Sequence, residues 1–150
     1  MSVPIQEVLD LIASVRTGVL ATIADGKPFA SLTSFAFDRK QGSLVFFLSG
    51  IARHTKNIAK SPFVSLLIES EREKNGHSLD RPRVTVSGKI ERVDGTEESK
   101  RCEILFIEQN PESKMLIQLK DFSFFVLTPE EVYYVKGFGS VSRFMSLTEK

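Results

Sequence analysis

Asp25-Gly26, set between two short runs of apolar and β-branched residues, constrains this chain more than any other feature. Thr17 to Ala24 reads Thr-Gly-Val-Leu-Ala-Thr-Ile-Ala, and Asp-Gly after it is a strong hairpin signal because both residues tolerate positive φ. The partner strand is expected from Pro28 to Phe37. Within it Phe29, Thr33, Phe35 and Phe37 share one face. Ala30, Leu32, Ser34 and Ala36 form a smaller second face that a flat ligand or another backbone could approach closely. Further strands are expected at Ser43 to Leu48, apolar on both faces and so central, at Phe63 to Ile68, and at Arg83 to Val93 with a bend near Ser87-Gly88. Phe122 to Thr128, a turn at Pro129-Glu130 and Val132 to Val135 complete the β segments. Twelve phenylalanines and no tryptophan, mostly in these runs, make the core a β core.

Helices punctuate the strands. Ile5, Val8, Leu9 and Ile12 mark one apolar stripe near the start. A helix from Ile51 to Ala59 turns Ile51, Thr55, Ile58 and Ala59 inward and leaves Arg53, His54, Lys56 and Asn57 on its other side. Asp94 to Glu98 caps a helix whose stripe is Cys102, Leu105 and Phe106, widened by Ile104 and Ile107. Pro111 separates it from a short segment with Met115, Leu116 and Leu119 as its apolar set. Glu69 to Asp80 reads as a charged loop with a solvated His77. The tail from Ser140 to Lys150, with Val141, Phe144 and Met145 as anchors, is expected on a partner subunit's surface. The whole, residues 1–150, is expected to be one domain, mostly β with flanking helices, as a six- to seven-stranded antiparallel barrel.

Charge and composition remove several functions. Twenty basic and nineteen acidic residues leave a net charge of +1, too little for a nonspecific nucleic-acid field. One cysteine and two histidines form neither an internal disulfide nor a metal cluster, so no metal site is expected. Cys102 lies on a buried stripe and reads as a small core residue. His54 has no nearby carboxylate to orient it as a catalytic base, and catalytic residues stay unassigned. Without a signal sequence or a membrane-length apolar run, the expectation is a soluble cytoplasmic protein.

One segment carries chemistry. Leu44 to Leu48 runs into Ser49-Gly50 and then into a helix start bearing Arg53, His54, Thr55 and Lys56. Free amides, a positive helix end and clustered donors suit a phosphate. An ordinary strand–turn–helix connection with solvated basic side chains suits the same residues, and they leave both readings open.

A resemblance adds to this. The order Arg16-Thr17-Gly18-Val19-Leu20-Ala21-Thr22, Asp25-Gly26-Lys27-Pro28, Leu48 to Ile58, Pro62 to Leu67, Pro82 to Gly88 and Lys136-Gly137-Phe138-Gly139 resembles the pyridoxamine 5′-phosphate oxidase-like, FMN-binding split-barrel family. Its His-Thr-Lys-Asn and Gly-Phe-Gly segments look most like the haem-utilisation subgroup. The resemblance implies a homodimer with cofactor sites in the interface and a flavin-dependent oxidoreductase acting on an unknown small substrate. Ser49, Arg53, His54 and Thr55 would grip the FMN phosphate, with Lys56 as a reserve cation. Ser31, Leu32, Thr33 and Ser34 would run beneath the ribityl chain and ring, and Arg83 would approach the flavin edge. The alternative it implies is a haem-binding or haem-degrading barrel without flavin. There Asp121 matches an acidic position near the haem pocket, while no histidine follows His77 to act as a C-terminal iron ligand.

Overall fold

The computed structural model describes residues 3–71 and 78–149, so His77 lies outside it. The elements run α1 (Ile5–Ala13), β1 (Thr17–Ala24), β2 (Lys27–Ser34), β3 (Ala36–Asp38), β4 (Ser43–Ser49), α2 (Arg53–Lys60), β5 (Phe63–Glu69), β6 (Arg83–Arg92), α3 (Glu97–Gln109), β7 (Phe122–Gly137) and β8 (Ser140–Phe144). Short 3₁₀ segments at Ser78–Asp80 and Pro111–Gln118 link them. Asp25 and Gly26 both take positive φ, 55° and 73°, which makes the hairpin turn match the twist of β1 and β2.

All the strands belong to one antiparallel sheet in the order β2-β1-β5-β6-β7-β4-β3, with β8 on β7. Its two ends are one strand, since only Phe35 separates β2 from β3. The sheet therefore closes on itself as a barrel. Closure is incomplete: β2 is laddered to β1 and β3 to β4, and no ladder joins β2 to β4 among the described residues. That gap is the split in the barrel.

Alternation along each strand fills the interior. Leu20, Phe35, Phe46, Leu66, Val86, Leu127 and Tyr134 are almost wholly buried there, together with Val8, Leu9 and Ile12 of α1. Each large side chain so buried contributes about 1.5–3 kcal/mol. A second cluster lies outside the barrel, where Cys102 and Phe106 of α3 pack on Ala36, Val45 and Phe124. Cys102 is a core residue there, and burial pushes its thiol up to about 11.

Several expectations change. Pro129-Glu130 is no turn: β7 runs through it, with Pro129 opposite Gly88 at the register shift of β6, a bulge being the place where a strand tolerates proline. A side chain at Gly88 would collide with the Thr128 carbonyl. The tail forms β8 on its own sheet, and its buried anchor is Leu147, while Val141 and Met145 are exposed. Ile51 is exposed because α2 begins two residues later, and Asn57 is buried because its amide donates to Thr22 Oγ1 at 3.0 Å. Ile104, Met115, Leu116 and Leu119 are exposed too, since α3 and the 3₁₀ segment lie on the outside of the barrel with a narrow inward face.

Candidate functional site

The site forms where the barrel splits. Ile58 and Asn57 hold α2 against the barrel end, with Thr22 passing a second, longer hydrogen bond to the Phe29 carbonyl at 3.4 Å. This anchoring sets His54 beside β2, where Nδ1 meets Ser31 Oγ at 3.2 Å. Its Nε2 is buried without a partner among the described residues, as are Thr33 Oγ1 and Thr55 Oγ1. Burial pulls the His54 pKa below the ordinary histidine value, so the neutral ring is favoured.

A cleft of about 260 Å³ opens between β2 and β4. Leu32, Thr33 and Ser34 form one side, Phe47 and Ser49 the other, with His54, Phe106 and Phe122 completing it. The aromatic wall is continuous. Phe47 stands 5.0 Å from Phe122, 4.6 Å from Phe124 and 6.1 Å from Phe106 between ring centroids, all within the favourable range for aromatic pairs. Pairing Phe47 with Phe124 and Ser49 with Phe122 across β4 and β7 puts these rings on the outer face of the barrel. α3 then covers that face.

The turn into α2 is internally bonded. Ser49 Oγ donates to Asp121 Oδ2 at 2.9 Å and accepts from the Ile51 amide at 3.3 Å. The Gly50 amide donates to the Asp121 carbonyl at 2.6 Å.

Of the expected site residues, Leu32, Thr33, Ser34, Ser49 and His54 come together in the cleft, and Ser31 joins through His54. Arg53 lies over the Phe29 ring, 4.3 Å from its centroid, and Lys56 is exposed outside. Thr55 turns its hydroxyl into the structure. Arg83 is not at the cleft; its guanidinium donates to the Leu79 and Arg81 carbonyls. Reading the sequence missed Phe47, Phe106 and Phe122. The alternation of Phe46 and Phe47 could have put Phe47 on the outer face, but nothing local shows that α3 roofs it.

Fold and cleft define a split-barrel protein with a small aromatic-walled opening at a strand edge. The CREG, beta-barrel family matches residues 8–147, and the chain belongs to that family. It is 30% identical over 128 residues to the heme oxygenase HutZ of Vibrio cholerae, covering 83% of this chain and 71% of HutZ. It is 29% identical over 139 residues to the non-canonical heme oxygenase HOZ, chloroplastic, of Arabidopsis thaliana, covering 89% of this chain and 40% of HOZ. Among solved structures, the heme binding protein from Mycobacterium smegmatis superposes with a TM-score of 0.87 at 28% identity, over 97% of this chain and 59% of that one. This chain thus spans 40% of the plant relative and 59% of the mycobacterial one, under two thirds of each.

Proposed function

We propose that this chain binds haem in the cleft between β2 and β4, as one subunit of a homodimer. The observation that carries the reading is an aromatic-walled cleft bordered by a histidine whose burial favours the neutral ring and whose Nε2 has no hydrogen-bond partner among the described residues. Such a nitrogen and such walls suit a planar, largely apolar ligand that carries a metal. The names of the three relatives point the same way, to haem and not to the FMN expected from the sequence.

The residues fit haem in kind. Phe47, Phe106, Phe122 and Leu32 would face the macrocycle, Ser31 would hold the His54 ring, and Thr33 would offer a hydroxyl that has no partner among the described residues. Bound haem would supply iron for oxygen chemistry; the chain supplies orientation and exclusion of water.

One subunit offers only part of a site. The cleft falls below the roughly 300–1,000 Å³ of typical small-molecule pockets. Leu32, 73% exposed, both borders it and stands in a row with exposed Val19 and Leu67 across β2, β1 and β5. A second copy covering that row would wall the cleft as well.

Haem titration tests the reading. A Soret band that saturates at one haem per chain is expected, weakened or shifted in His54→Ala. A spectrum identical to free haem in the same buffer refutes it.

A further inference from the structure

At the turn between β4 and α2, which the sequence offers as a phosphate cradle, the Ser49 hydroxyl and the amides of Gly50, Ile51 and Ala52 are already used inside the chain. The Ser49 hydroxyl donates to Asp121 Oδ2 at 2.9 Å. The Ile51 amide is turned to Ser49 Oγ at 3.3 Å, the Gly50 amide to the Asp121 carbonyl at 2.6 Å, and the Ala52 amide to the Ser49 carbonyl at 3.3 Å. A helix start usually leaves such amides for an anion. Here an internal carboxylate stands at the hydroxyl that a phosphate would need.

Asp121 makes no ion pair among the described residues, and the Arg53 guanidinium lies on Phe29. A phosphate monoester brings nearly two further negative charges to the same point, where like charges repel and the Ser49 hydrogen is spent.

We infer that Asp121 is a specificity residue: it closes the turn to phosphate-bearing ligands, FMN included, and keeps the cleft for planar ligands without a phosphate. The inference rests on the cleft being the ligand site and does not need haem to be the ligand. FMN and riboflavin, which differ only in the phosphate, separate the phosphate contribution from that of the ring.

Both flavins are titrated by fluorescence quenching into the wild-type chain, Asp121→Asn and Asp121→Ser. Asparagine removes the charge while retaining an acceptor for Ser49, and serine removes the carboxylate altogether. The wild type is expected to bind FMN no more tightly than riboflavin. Each variant should bind FMN about tenfold more tightly than the wild type, the scale of one charge-assisted contact, with riboflavin unchanged. A wild-type preference for FMN overturns the inference, as do folded variants whose FMN to riboflavin ratio does not move. Should both variants lose their native circular dichroism, the wild-type ratio alone decides. Haem titration of the wild type runs alongside, so loss of the haem reading shows separately from loss of this one.

Discussion

Gln109 closes a strand edge with a side chain, and removing it has a calculable cost. Its Oε1 accepts from the Phe37 amide and its Nε2 donates to the Phe37 carbonyl, both at 2.8 Å, so the amide pairs with β3 as a neighbouring strand would. Phe37 is only 4% exposed, which leaves little room for water to replace either bond. Each neutral hydrogen bond is worth about 1 kcal/mol net, so Gln109→Ala should cost about 2 kcal/mol, rising if the Phe37 groups stay dry. For a chain of this size that is a fall in Tm of roughly 4–8 °C. Gln109→Glu should cost at least as much, because a carboxylate accepts from the amide but has no hydrogen for the carbonyl. Urea denaturation followed by circular dichroism gives the free energy from the midpoint at constant slope. A loss under about 0.5 kcal/mol for Gln109→Ala, close to the error of such measurements, would refute the reasoning.

Two further predictions concern the cleft. Because burial lowers the His54 pKa, the unfolded chain binds the proton more readily, and stability should be lost as pH falls from about 6.5 through the lowered folded value. Thermal melts across that window should show the loss in the wild type and less of it in His54→Gln; equal slopes would show that His54 is not the titrating group. The proposed dimer would use the exposed row of Leu32, Val19 and Leu67. Val19→Glu places a charge in the middle of it, so sedimentation should change from dimer to monomer, and a variant that remains dimeric at low micromolar concentration would move the interface elsewhere.

The hairpin was legible because Asp25-Gly26 is a local instruction, and so were α1, the stripe of α3 and the bulge near Gly88, each written in a few neighbouring residues. Pro129-Glu130 misled because the tolerance of β7 for proline depends on Gly88, some forty residues earlier in the chain. Ile51 and Asn57 exchanged roles for related reasons: helical spacing gives neither the start of a stripe nor its rotation, α2 begins only at Arg53, and a buried Thr22 hydroxyl turned Asn57 inward. At the site, Ser49 and His54 were found because they lie on one motif. Asp121 was noticed as an acidic position, but its hydrogen bond to Ser49 spans 72 residues and follows from the pairing of β4 with β7. The aromatic wall needed the same pairing plus the placement of α3.

The strand that bends at Phe35 has a consequence for motion. Along β2 one edge is laddered to β1 while the other borders the open split. Successive amides in a strand point to opposite edges, so protection against hydrogen exchange should alternate residue by residue along this one strand. Slowly exchanging amides would report the barrel and rapidly exchanging ones the cleft, giving a single element two clocks.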